Sequence, residues 1–162
     1  MGAGKSTVGR ILSKKLGFRL VDLDTEIEDN QNSPVTEIFQ TKGEQYFRDV
    51  ETRILKNISG RSNQVVSTGG GIVIRDENWD IMRNNGVTIY LKATIETLFN
   101  RVRHKTTRPL LNVKNPFQKA KVIFSDREKL YEKSDIVIDR EGLEPEQVAE
   151  VIITDVSDRF KN

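Results

Sequence analysis

The sequence predicts an α/β domain, a parallel sheet covered by helices on both faces. Extended and helical apolar periods alternate along the chain, the pattern of strands joined by crossover helices. The extended segments are short, nearly continuous apolar runs, as expected for strands buried on both sides. The 162 residues suit one compact domain, taken here as residues 1–162.

Each element has its own signal. Val8, Ile11, Leu12 and Leu16 recur at helical spacing, and Gly17 stops that helix. Phe18 to Val21 reads as a strand ending at Asp22-Leu23-Asp24, with a helical stretch after it. Ser33-Pro34 marks another helix start, Ser as cap and Pro in the first turn. A long helix from about Gly43 to Ile58 rests on Phe47, Val50, Ile54 and Ile58 and stops at Gly60. Gln64 to Thr68 is a second strand, broken by Gly69-Gly70-Gly71. Trp79 and Met82 belong to a short helix ending near Gly86. Val87 to Leu91 is a third strand, followed by a helix on Ile95, Leu98, Phe99 and Val102. Arg103 to Asn115 is basic and aperiodic. A helix with Phe124, Arg127 and Tyr131, a strand from Ile136 to Ile138 and a final helix on Val148, Val151, Ile152 and Phe160 complete the chain.

Composition removes several function classes. No cysteine is present, which excludes disulfides, thiolate nucleophiles and Cys-based metal sites. A single histidine, His104, argues against a catalytic triad or a multi-histidine metal centre. No apolar run approaches the roughly 18–20 residues that cross a bilayer. The net charge of +2 comes from interspersed acids and bases, as in Asp126-Arg127-Glu128-Lys129, rather than from a basic stripe. The expectation is a soluble cytoplasmic enzyme, monomeric, with neither nucleic acid nor membrane as partner.

Met1-Gly2-Ala3-Gly4-Lys5-Ser6-Thr7 reads as the tail of a G-x-x-x-x-G-K-[ST] loop opening into a helix. Its glycines let backbone N–H groups close around phosphate oxygens. Lys5 would reach the β- and γ-phosphates of a nucleotide, and the Ser6 hydroxyl would hold Mg²⁺. The first glycine of the pattern and the strand that normally feeds the loop are not in the sequence. That strand would be central and bury several large side chains, at about 1.5–3 kcal/mol each. The expectation is that Met1 is internal and the natural protein begins about ten residues earlier.

From here the motifs accumulate in order: Lys5-Ser6, Val21-Asp22-Leu23-Asp24, Glu37-Ile38-Phe39, Gly43-Glu44, Phe47-Arg48 with Glu51, Ser67-Thr68-Gly69-Gly70-Gly71, Arg108-Pro109-Leu110-Leu111, and Arg127 with Tyr131. The series resembles the shikimate kinase family from Met1 to about Asp139. That resemblance implies a three-layer P-loop kinase fold with a five-stranded parallel sheet, its first strand missing here. It implies a substrate-binding region at about 25–59 and a mobile lid at about 103–115. The implied reaction is phosphorylation of shikimate at its 3-hydroxyl by ATP with Mg²⁺.

Residue roles follow from the same resemblance. Gly2, Ala3, Gly4, Lys5, Ser6 and Thr7 would bind ATP phosphates, with Ser6 and Asp22 on the metal. Asp24 would accept hydrogen bonds from substrate hydroxyls and take the proton of the attacking one. Arg48 and Arg127 would grip the substrate carboxylate, since planar guanidinium forks match it bidentately. Gly69, Gly70 and Gly71 would bring backbone against the ring. Arg108 in the lid would meet phosphate charge during transfer, and Arg101 would lie near the adenine. Asn32 stands where the family usually has glycine, and Asn tolerates the left-handed conformation.

Blander readings stand beside these. Asp24 serves equally as a helix N-cap. Arg48 has Glu44 and Glu51 at helical spacing and reads also as a surface ion pair. Arg127 has acidic neighbours and could be an exposed charge, and the glycines a simple turn. A gluconate or nucleotide kinase of the same fold, and a non-catalytic relative, are the rival functions.

Overall fold

The computed structural model describes residues 2–101 and 114–161. Seven α-helices and four strands follow in the order α1 (Lys5–Leu16), β1 (Arg19–Asp22), α2 (Leu23–Gln31), α3 (Val35–Ser59), β2 (Gln64–Ser67), α4 (Asp76–Asn85), β3 (Ile89–Lys92), α5 (Ile95–Asn100), α6 (Pro116–Tyr131), β4 (Ile136–Asp139) and α7 (Pro145–Lys161). A single 3-10 turn at Ile72–Ile74 joins β2 to α4. Among the described residues no helix is long and apolar enough to cross a membrane.

Local chemistry explains the element ends. Gly17 closes α1 in the left-handed region at φ 68°, as its position predicts. Asn32 closes α2 at φ 49°, ψ 36°, taking the conformation for which glycine is the usual choice. α3 is interrupted at Gly43 (φ 81°, ψ 170°), so its longer part begins where the periodicity places it. The predicted Ser33 cap is not formed. Pro34 occupies the cap position without a side-chain bond. Instead a Glu28 Oε1 on α2 accepts the Val35 N–H at 2.8 Å. A carboxylate one helix away does what a cap normally does, and ties α2 to α3.

The strands form two parallel pairs. β1 runs beside β2 with Asp22 opposite Ser67, and β3 runs beside β4 with Lys92 opposite Asp139. One core cluster gathers Val21, Leu23, Ile27, Ile38, Phe47, Ile54 and Trp79, and a second gathers Val8, Leu12, Leu91, Ile138, Val148 and Ile152. Trp79 is core as predicted, its indole N–H satisfied by the Val73 carbonyl at 3.1 Å.

Between the two pairs lies an apolar cavity of about 560 Å³. β2 supplies Val65 and Val66 to it, β3 supplies Ile89 and Leu91, and six helices contribute, among them α1 with Leu12, α3 with Leu55, α4 with Trp79 and α7 with Ile152. Among the described residues β2 pairs only with β1 and β3 only with β4. Apolar side chains lining a slot of about 560 Å³ lack packing partners on that side, which costs stability. Such a slot is not a comfortable resting state: an extended segment fills it, or the helices close on it.

Candidate active site

The polar chemistry collects at the carboxyl ends of the strands, where parallel sheets present their ligands. Gly2 and Gly4 lie at φ 71° and 81°, in the region that side chains rarely adopt. Gly4 is also the N-cap position of α1 and provides no side-chain bond. The first N–H groups of α1 are thus left to an anion, and the helix dipole favours one there. Gly2, Gly4, Lys5, Ser6 and Thr7 line a polar cavity of about 420 Å³, together with Asp22, Asp24, Arg101 and Arg140. Ala3, buried against Val8 and Leu98, anchors the loop.

Ser6 Oγ donates to Asp22 Oδ2 at 3.2 Å and lies 3.5 Å from Ser67 Oγ. The register that sets Asp22 opposite Ser67 brings these oxygens together. Three hard oxygen donors beside a phosphate loop fit Mg²⁺, which is held by one or two carboxylates plus substrate phosphate rather than by a closed cage. Among the described residues no group of three or more His, Asp or Glu side chains is arranged to hold a metal ion.

The helix cap after β1 is Asp22, whose Oδ1 accepts the Asp24 N–H at 3.1 Å. Asp24 is therefore not the cap, and its side chain is committed elsewhere. It lies against Gly69, where an added Cβ would sit 3.1 Å from Asp24 Oδ1 and 3.3 Å from Glu51 Oε1. At Gly71 an added Cβ would collide with the Arg48 guanidinium. These two glycines are a close approach of backbone to charged side chains, more than a flexible turn.

A second cavity, of about 330 Å³, contains Asp24, Arg48, Glu51, Gly69 to Gly71, Arg127 and Tyr131, with Phe39 and Phe47 on its apolar wall. Arg48 is only 6% exposed. Its Nη1 donates to Glu51 Oε2 at 2.6 Å and its Nη2 reaches Glu44 Oε1 at 3.2 Å. The ion pairs predicted from helical spacing exist, yet they hold a buried guanidinium in place rather than decorating a surface. Arg127 is half-buried and hydrogen-bonds Tyr131, which in turn donates to the Gly70 carbonyl at 2.6 Å. Asp24, Gly69 and Gly70 line both cavities, so the phosphate loop and the arginine-lined cavity meet at these residues.

Three comparisons with known proteins bear on this arrangement. A sequence model of the shikimate kinase family matches residues 1–157. This chain belongs to the shikimate kinase family. The shikimate kinase of Thermodesulfovibrio yellowstonii is 46% identical over 153 residues, 94% of this chain and 88% of that protein. The one from Persephonella marina is 45% identical over 153 residues, covering 94% and 92%. In structure, the fold matches the Acinetobacter baumannii shikimate kinase in complex with shikimate at a TM-score of 0.95, with 33% identity, 98% of this chain and 89% of that chain covered. The Aquifex aeolicus shikimate kinase matches at 0.86, with 34% identity and coverage of 98% and 93%. The α/β kinase fold of the family is thus the fold of this chain.

The structure brings together Gly2, Gly4, Lys5, Ser6, Thr7, Asp22, Asp24 and Arg101 around one cavity and Arg48, Arg127 and Gly69 to Gly71 around the adjoining one. Arg108 and most of the predicted lid lie outside the described residues. Three neighbours escaped the sequence-based set of site residues: Glu51, Tyr131 and Arg140. The signal for Glu51 was its position one helical turn after Arg48. For Tyr131 it was the position one helical turn after Arg127, and for Arg140 no local pattern was available.

Glu51 is fully buried, and burial raises its carboxyl pKa above the ordinary 4.5, with Arg48 opposing and Asp24 adding to the rise. Folding therefore favours its protonated form. Its stabilising contribution is complete below about pH 4.5 and is lost as pH rises through the raised folded value. In Glu51→Gln the fall of Tm with rising pH above 4.5 is expected to be shallower than in the parent. Melting curves across pH 4–8 check this (roughly the range where maximal stability falls), and an unchanged slope would show that Glu51 stays ionised throughout.

Proposed function

We propose that this chain transfers the γ-phosphoryl group of ATP to the 3-hydroxyl of shikimate, giving shikimate 3-phosphate and ADP, a step toward chorismate and the aromatic amino acids. The observation that carries this reading is the meeting of the two cavities at Asp24, Gly69 and Gly70. An anion-binding helix terminus lies on one side of that junction and a paired-arginine cavity on the other.

Phosphoryl transfer through a loose transition state needs positioning and charge stabilisation more than covalent help. Lys5 and the N–H groups of Gly2 to Thr7 hold the β- and γ-phosphates. Ser6 and Asp22 would hold Mg²⁺, which would supply positive charge against the phosphates. Arg48 and Arg127 bind the substrate carboxylate, and the backbone of Gly69 to Gly71 approaches the ring. Asp24 orients the attacking hydroxyl and accepts its proton. Arg108 from the lid contributes charge at the transferred group, and Arg101 contacts the nucleotide. The region at about 25–59 carries the acceptor.

Charge separates the acceptors. The 330 Å³ cavity holds two arginines against three carboxylates, Asp24, Glu28 and Glu51. The two arginines match one carboxylate, and the surrounding carboxylates disfavour the dianionic phosphate of a nucleotide acceptor. The five-stranded sheet results when one extended segment occupies the slot between β2 and β3. The reading carries with it a monomeric, cytoplasmic enzyme without nucleic-acid or membrane partners, for which the interspersed surface charge is the support.

Coupled ADP release with shikimate, gluconate and nucleoside monophosphates in parallel tests the proposal. Release is expected with shikimate alone. Equal or greater release with either other acceptor would reassign the substrate, and none with any, in a folded chain that binds ATP, would favour a non-catalytic role.

A further inference from the structure

Arg140 lies directly after β4 and 137 positions from the residue it holds. Its backbone N–H donates to the Lys92 carbonyl at 3.0 Å, extending the β3–β4 ladder by one bond. This leaves the side chain at the strand ends, where it turns into the phosphate-loop cavity beside Arg101. Nη1 donates to the Ala3 carbonyl, and the same atom is 2.5 Å from where a Cβ on Gly4 would sit. The residue is 3% exposed, and its Nε has no partner.

The charge is as informative as the contact. Arg48, the other buried arginine, is neutralised by two carboxylates. Arg140 forms no ion pair among the described residues. An arginine does not shed its proton in a protein, so burial leaves a cation short of an anion. Burial and the like charge of Arg101 both disfavour its protonated form, against the weaker pull of Glu141 and Glu144. A polyphosphate entering the cavity has the charge and oxygen geometry to compensate it.

We propose that Arg140 is a nucleotide-positioning residue: it holds the Ala3 carbonyl so that the loop keeps its N–H groups turned into the cavity, and with Arg101 it makes that cavity select a nucleoside polyphosphate. The inference rests on the assignment of this cavity to ATP.

The test uses the whole chain with Arg140→Met and Arg140→Lys. KM for ATP, KM for shikimate and kcat are measured, with ADP and AMP binding by calorimetry and Tm without nucleotide. Arg140→Met is expected to raise KM for ATP about tenfold, the loss of one charge-assisted bond. ADP binding should weaken more than AMP binding, and KM for shikimate should stay unchanged. The nucleotide-free Tm should hold or rise, because an unpaired buried charge is gone. Arg140→Lys, which keeps the charge without the fork, should fall between parent and Arg140→Met, and it carries the test if Arg140→Met does not fold. A KM for ATP within twofold of the parent overturns the proposal. So does an equal rise in both KM values with a lowered Tm, the mark of a purely structural residue. Failure of the parent chain to bind ADP at all would instead overturn the ATP assignment, and this inference with it.

Discussion

Asp24→Asn is expected to lower kcat about 10³-fold, within the 10²–10⁴ range of a lost proton acceptor, while KM for ATP changes little. The substitution is nearly isosteric. The backbone N–H of residue 24, not its carboxylate, is bound by the Asp22 cap, so α2 keeps its start. Gly69 leaves room for the amide as it does for the carboxylate. Lys5, Ser6 and Asp22 remain to bind nucleotide. What is lost is a charged acceptor at the junction of the two cavities, where the attacking hydroxyl has to be turned toward the γ-phosphorus. Steady-state kinetics with each substrate varied, joined to single-turnover measurement of the chemical step, distinguishes this outcome. A kcat within tenfold of the parent would remove Asp24 from the reaction and leave it as a binding group. A uniform rise in both KM values would point to a disturbed fold.

Filling the slot between β2 and β3 is expected to have the largest effect on stability. A five-residue segment of Val and Ile fused ahead of residue 2 by a short linker should raise Tm by at least about 10 °C, given about 2–4 °C per kcal/mol for a domain of this size. The segment is designed to fill the apolar slot of about 560 Å³ and to offer backbone groups to β2 and β3, each of which has one strand partner among the described residues. It also continues into the phosphate loop, so ATP binding should tighten along with the fold. The control fusion carries Asp and Pro in alternation, which cannot pair or bury. Calorimetric melts of both fusions decide: equal Tm values would mean that α1, α3, α4 and α7 close the slot by themselves.

Those two experiments probe features of very different legibility. α1 was readable because four apolar residues fall on one face and Gly17 follows them, and the structure ends the helix there. Asn32 was readable because few other residues accept φ 49° at a helix end. Strand existence was legible from apolar runs, while ends moved by a residue or two, since a strand ends where its partner stops. The start of α3 was misread at Ser33 because its donor is satisfied by Glu28, a side chain on another helix. A cap motif describes what the nearest residue can do, and here a tertiary contact did it first.

The sequence alone determined the order of helices and parallel strands and the phosphate-loop motif, because these depend on spacings of a few residues, while the charged residues expected at the site came from the resemblance to a family. Only the tertiary structure decided that Asp24 sits where two cavities join, that Arg48 is buried and neutralised, and that Arg140 reaches Ala3. Parallel strands need long crossovers, so residues that meet at their carboxyl ends are far apart in the chain. Their convergence is set by strand register and helix packing, which no local pattern encodes.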